Sequence, residues 1–431
     1  MTNNNEKMNW WPWKVCAFLL LATALSYLDR QALSIVAPVV SKELSLDNAQ
    51  LGLLLSAFFY SYAIMHLFVG LLLDRYNIRV TYGLFVALWS LAQMLSGLAG
   101  GFASLFTARL LLGTFETAGQ TGAARIISRI LPGKDRALAN GIMMSGGSLG
   151  AMIAGPLMIF MANSIGWRAG FIGLGVVGLV WSAAWLLWFR PPVSVLRGSI
   201  NKDQPLAEED RWRTILTNPK FWACVVGAAF TIPIIHISSA WIPTYFVQSW
   251  GLSLSAGFAA YLFFIYLGLD LGFMGGGAAV SYLIGRGWQV AQARKAVMAA
   301  SALLMFSAAL VPLAPSALSA VFLVFLLNMG RASWGAIFLA FNQDIAPARV
   351  GMIAGIMGCI GSLAGALLVW VIGIISKSAG FTIPFLMIAG LAVLGLFPVL
   401  FVRWEADDAT RLAGIKSSSV ELVEKGKEVN A

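Results

Sequence analysis

Apolar runs of about 20 residues recur along the whole chain, and each is long enough to cross a hydrocarbon core of about 30 Å. No other feature narrows the fold so far. Inside such a core every backbone N–H and C=O must find its partner within the chain, which leaves helices or closed barrels. Spanning strands would show as alternating segments of about ten residues. The runs here are continuous instead, so the chain reads as an all-α polytopic membrane protein. Composition agrees: 59% of the 431 residues are hydrophobic and 11% charged, against about 25% charged in a soluble domain.

The runs place membrane helices at about 11–39, 49–73, 80–101, 103–130, 137–161 and 168–190, and again at about 218–249, 255–286, 292–313, 316–344, 348–376 and 381–403. This predicts twelve transmembrane helices in two six-helix bundles. The N-terminal bundle is 1–190, a polar cytoplasmic linker 191–217, the C-terminal bundle 218–403, and a polar cytoplasmic tail 404–431. Two like-sized halves suggest an internal duplication with a transport path between them. The first helix carries Asp29-Arg30 and lacks a small-residue cleavage site, so it reads as a retained span and not as a secretory signal.

The net charge is +10, and its placement matters more than its sum. Lys14, Arg75, Arg79, Arg129, Arg136, Arg190, Arg286, Arg294 and Arg403 fall on one side of the expected helices, whereas Lys42, Arg168 and Lys377 fall on the other. By the positive-inside rule both termini are cytoplasmic. Basicity so distributed implies a lipid bilayer and no nucleic acid. Cys16, Cys224 and Cys359 lie far apart in apolar runs, so neither a disulfide nor a metal site is expected. Gly133-Lys134 is followed by Asp135, not by Ser or Thr, so no P-loop exists, and no H-E-x-x-H or G-x-S-x-G occurs. An enzyme and a cofactor are therefore not expected.

Ionisable residues inside membrane helices are costly and usually functional. Asp29 and Arg30 lie within the first expected helix, and Arg109 and Glu116 in the fourth. Seven residues is about two helical turns, so Arg109 and Glu116 share one face roughly 10 Å apart. The four groups are expected to form one network across facing helices. A guanidinium keeps its charge in apolar surroundings and fits a carboxylate with a planar fork, which makes Arg30 the candidate for a substrate carboxylate; the alternative is a standing ion pair with Asp29 or Glu116. Asp29 and Glu116 are the candidate proton carriers, with Arg109 ordering the network. Tyr27, Tyr62 and Gln120 are candidates to line the cavity. In the second half His236, between Pro233 and Pro243, is a candidate ligand or proton contact or else bonds a freed backbone carbonyl, and Arg331 either pairs with Asp270 or forms a second cationic substrate site.

The loop after the second helix reads Gly70-Leu-Leu-Leu-Asp74-Arg75-Tyr-Asn-Ile-Arg79, the G-x-x-x-D-R-x-x-x-R pattern. With twelve expected helices, it resembles the hallmark loop of the major facilitator superfamily. Asn77 replaces the usual glycine. Within that superfamily the chain is similar to the anion:cation symporters, and among them to bacterial hexuronate and aldonate carriers. That likeness rests on Ser26–Ser34, Ser56–Ala63, Ala108–Glu116 and Arg136–Ala139, and on Asp270-Leu-Gly272 with Gly285-Arg-Gly-Trp288. His66, Gln120, Arg331 and Ile337 depart from that branch.

The resemblance implies the major facilitator fold, alternating access and proton-coupled symport of a small organic anion such as a hexuronate, in a bacterial inner membrane. It also assigns Arg30 to the substrate, and Gly70, Asp74, Arg75 and Arg79 to gating. The chain is expected to act as a monomer. Alternatives are a carrier of organic phosphates or dicarboxylates, and a membrane sensor without transport.

Overall fold

Polar side chains mark where the helices begin in this computed structural model, which describes residues 10–131, 133–190, 212–345 and 350–401. The first half comprises α1 (Trp11–Glu43), α2 (Asn48–Arg75), α3 (Ile78–Gly97), α4 (Phe102–Glu116), α5 (Ala118–Ile130), α6 (Gly133–Ser164) and α7 (Trp167–Trp188). The short α8 (Trp212–Thr217) precedes α9 (Pro219–Trp250), α10 (Ala256–Gly285), α11 (Val290–Met305), α12 (Ala317–Ile345), α13 (Val350–Ala379) and α14 (Thr382–Phe401). Asp47 caps α2: its carboxylate accepts from the Gln50 N–H at 2.8 Å while the Gln50 side chain accepts from the Asp47 N–H at 3.1 Å. Asn77, Asn218 and Ser255 cap α3, α9 and α10 in the same way. Gly251 ends α9 at φ +64°, a left-handed conformation that a side chain would oppose.

Among the described residues, ten helices are long and apolar enough to cross a bilayer. The other two expected crossings are the α4–α5 pair and α14. The expected span 103–130 is divided at Thr117, whose hydroxyl donates to the Gly113 carbonyl at 2.8 Å. Such back-bonding to residue i−4 bends a helix. The span expected at 292–313 tightens into a 3-10 turn, Phe306–Leu313, around Pro312. Residues 191–211, most of the expected linker, and the tail 404–431 lie outside the described residues, as does the Asp74 side chain.

Packing repeats between the halves. α1 packs on α6, α2 on α4 and α3 on α7; α9 packs on α13, α10 on α12 and α11 on α14. These are the same three pairings, allowing for the broken fourth crossing of the first half. The halves meet along α2–α13, α6–α10 and α1–α9. Many outward-facing side chains are large and apolar, among them Leu71, Phe160, Leu187, Met274 and Leu303, as a lipid-facing surface requires.

Polar ties between the halves gather at the end away from Trp11 and Phe401, where α1 begins and α14 ends. Lys377 Nζ donates to Asp47 Oδ2 at 2.9 Å, so one carboxylate both caps α2 and holds α13. The Asn48 and Gln248 amides exchange hydrogen bonds of 3.2 and 3.0 Å, and Asn48 also donates to Ser376 Oγ at 3.3 Å. Asn163 donates to the Leu254 carbonyl at 2.8 Å. Beside them, α2 and α13 touch backbone to backbone: a methyl on Gly52 would lie 3.0 Å from the Gly373 Cα.

Candidate functional site

Helical spacing of four residues builds the site. On α1, Ser26 and Arg30 share one stripe, and Tyr27 and Gln31 the next; on α2, Phe58, Tyr62 and His66 follow one another. The bend at Thr117 leaves Glu116 as the last residue of α4.

Arg30 and Glu116 form the centre. Arg30 Nη2 and Nε donate to Glu116 Oε1 at 2.6 and 3.1 Å, and Ser26 Oγ donates to the same oxygen at 2.8 Å. Glu116 Oε2 is buried without a hydrogen-bond partner. The Arg30 guanidinium sits over three aromatic rings, Tyr27 and Phe58 at 4.9 Å and Tyr62 at 5.0 Å. Gln120 Nε2 donates to the Tyr27 hydroxyl at 3.0 Å.

Arg109 lies behind this pair. Its guanidinium is 5.5 Å from the centre of the same Phe58 ring and donates to the backbone carbonyls of Asp29 and Arg30 at 3.4 and 3.5 Å. The four expected ionisable residues thus do come together, but unequally. Arg30 takes Glu116, whereas the buried Asp29 carboxylate forms no ion pair among the described residues and its Oδ1 accepts no hydrogen bond. Arg109 anchors the backbone of α1, not the Asp29 carboxylate.

The second half meets this cluster with fewer charges. His236 on α9 stacks on Phe59 of α2 at 3.9 Å between ring centres and 17° between planes. Its Nδ1 is buried without a partner. His66 sits edge-on to Tyr62 at 4.4 Å and beside Gly358 of α13. Tyr266 on α10 donates to Gln31 Oε1 at 3.1 Å, a tie between halves midway along the bundle. Arg331 does not pair with Asp270. It donates from Nη1 to the Ile235 carbonyl at 3.0 Å, and its buried Nε has no partner.

Gly70, Arg75 and Arg79 lie away from this cluster, near the end where α1 begins and α14 ends. Arg79 donates to the Leu186 carbonyl, Arg75 is exposed beside the Tyr76 ring, and a methyl on Gly70 would meet the Arg125 guanidinium at 3.2 Å. Ser26, Gln31, Phe58, Phe59 and Tyr266 belong to the site and were not singled out from sequence. The four-residue spacing to Arg30, Tyr27 and Tyr62 carried that information for Ser26, Gln31 and Phe58. Phe59 and Tyr266 are fixed by contacts between halves, which no local pattern encodes.

The sequence profile described as Major Facilitator Superfamily matches residues 19–369. The chain is similar to the "Hexuronate transporter" of Bacillus subtilis (strain 168), 31% identical over 90% of this chain and 94% of that one. It is also similar to the "Probable galactarate/D-glucarate transporter GudP" of the same organism, 28% identical over 85% and 86%. Among solved structures, a bacterial homolog to the human lysosomal transporter Spinster, inward-facing and unoccupied, superposes with a TM-score of 0.68 at 21% identity, covering 90% and 94%.

Proposed function

The chain belongs to the Major Facilitator Superfamily, and on that premise we propose that it carries a small sugar acid, of the hexuronate kind, into the cell together with protons. The relatives' names support the substrate class, and one observation supports the coupling: the only buried carboxylate that neutralises Arg30 among the described residues is Glu116.

Arg30 and Glu116 then compete with substrate in a defined way. While Glu116 is ionised it occupies the Arg30 fork. A proton on Glu116 removes the charge that holds the fork, and the guanidinium is released to a substrate carboxylate. Proton binding and anion binding therefore favour each other, which is the linkage a symporter needs. The groups facing this exchange are Ser26, Tyr27, Asp29, Tyr62, His66, Arg109 and, across the cavity, His236. Asp29 supplies a second protonatable site, so two protons accompanying a monoanion would make uptake electrogenic.

The halves are proposed to rock by alternating access, in a bacterial inner membrane with both termini cytoplasmic. In that orientation the Asp47–Lys377 and Asn48–Gln248 ties close the external face, and Asp74 and Arg75 belong to the gate on the other side. Reconstituted protein under an imposed pH gradient, acid outside, should accumulate at least one of glucuronate, galacturonate, galactonate or glucarate. Uptake of none of them, in vesicles whose protein is shown to be folded, rejects the sugar-acid reading.

A further inference from the structure

Charge bookkeeping in the cavity singles out Arg331. The first half sets two buried carboxyl groups, Asp29 and Glu116, beside its two guanidiniums, Arg30 and Arg109. Arg331 on α12 is 6% exposed and forms no ion pair among the described residues. The Ile235 carbonyl offers it a dipole, not a charge, and its Nε is bare. An isolated guanidinium at membrane depth is costly and marks a site that receives a charge.

Arg331 reaches towards Arg30 through a chain of contacts: it bonds the Ile235 carbonyl, the next residue His236 stacks on Phe59, and Phe59 lies against the Phe58 ring that Arg30 approaches at 4.9 Å. Tyr27, whose ring lies under Arg30 at 4.9 Å, is within the electrostatic reach of Arg331. His236 stands within reach of both cations. Each half thus contributes one buried cation near the contact of α2 with α9, with Tyr27 and His236 close to both.

We propose that Arg331 is a second carboxylate site, and that the preferred substrate is a dicarboxylic sugar acid spanning Arg30 and Arg331. This deepens the sugar-acid reading and rests on it. A phosphate ester fits less well, because it concentrates both negative charges on one group, whereas the two guanidinium forks sit on opposite halves. A ligand that ties the halves together also gives the closed, occupied state its own stabilising contact.

Binding to the purified protein, read by calorimetry at one pH, tests this with ligands that differ in charge but share their carbon skeleton: galactarate, galacturonate, galactonate and galactose 6-phosphate, with the matching gluco series alongside. In the better-bound series the dicarboxylate should bind about tenfold tighter than the hexuronate. Arg331→Gln should bring that ratio to about one, and Arg331→Lys should retain part of it. The proposal is overturned by a hexuronate that binds as well as the dicarboxylate, by a ratio that survives Arg331→Gln, or by a sugar phosphate that binds tightest. The wild-type ranking decides even if a variant fails to fold. Hexuronate binding without dicarboxylate preference sinks this inference alone; binding of no sugar acid sinks the broader reading with it.

Discussion

The two halves share a scaffold and divide the chemistry. Their helices pair alike, α1 on α6 as α9 on α13, and α3 on α7 as α11 on α14. Yet the first half holds a cluster of four ionisable residues around Phe58, and the second holds Arg331 and His236 without a counter-ion among the described residues. Packing constrains apolar periodicity and small residues, and both halves meet that constraint alike. Ionisable groups obey a different rule: a buried charge must be balanced somewhere, and a ligand that crosses the interface can do the balancing. Under the proposed function, the contrast between halves is one between coupling and recognition.

The largest effect should break the first half's role. Glu116→Gln and Asp29→Asn each leave Arg30 and Arg109 with one carboxylate fewer and remove a proton site. Accumulation driven by a pH gradient should fall at least about 100-fold, to the level set by exchange alone, whereas counterflow of labelled substrate should persist. Gradient-driven uptake at the native rate in both variants would mean that the cluster is structural.

A smaller effect should sharpen the comparison at Phe58, the ring that both guanidiniums approach. Phe58→Leu removes that ring. A cation–π contact of about 1 kcal/mol predicts a KM about fivefold higher with little change in maximal rate. Phe58→Trp should restore much of it, an outcome that a simple packing role does not require.

The smallest effect lies at the end where the halves are tied. The Gln50 backbone N–H, followed by the Lys377 side chain, holds the exposed Asp47 carboxyl below the usual aspartate range. A depressed value means that the tie is present above the ordinary pKa and is lost as pH falls through the lowered one. External acidification into that range should therefore speed opening of this face, and Asp47→Asn should abolish the pH dependence. Because the pair is exposed, the change in opening rate should stay within about twofold, measurable by fluorescence of labels placed across α2 and α13. Opening equally sensitive to acid in Asp47→Asn would assign the effect elsewhere.

Much of this was legible before any coordinates. Continuous apolar runs located the crossings because each helix satisfies its own backbone. Arg30, Asp29, Arg109 and Glu116 stood out because charge inside such runs is rare. The interruption at Thr117 was not legible, since a threonine that bonds back to its own helix looks like any other. Nor was the fate of Arg331, for which Asp270 was a reasonable partner until α10 and α12 were placed. Tyr266 finding Gln31, and Phe59 finding His236, depend on how the two halves meet.

The bare backbone contact between Gly52 and Gly373 has one more consequence. Two surfaces without side chains separate and rejoin with no rotamer to reset, so that face can cycle quickly. It also has no tolerance for bulk: a single methyl at Gly52 meets the Gly373 Cα at 3.0 Å and the Trp370 and Val369 carbonyls at 3.1 Å. Alanine there acts as a wedge in a door jamb. Under the proposed rocking of the halves, it should hold this face ajar without touching Arg30 or Glu116 and so trap one orientation.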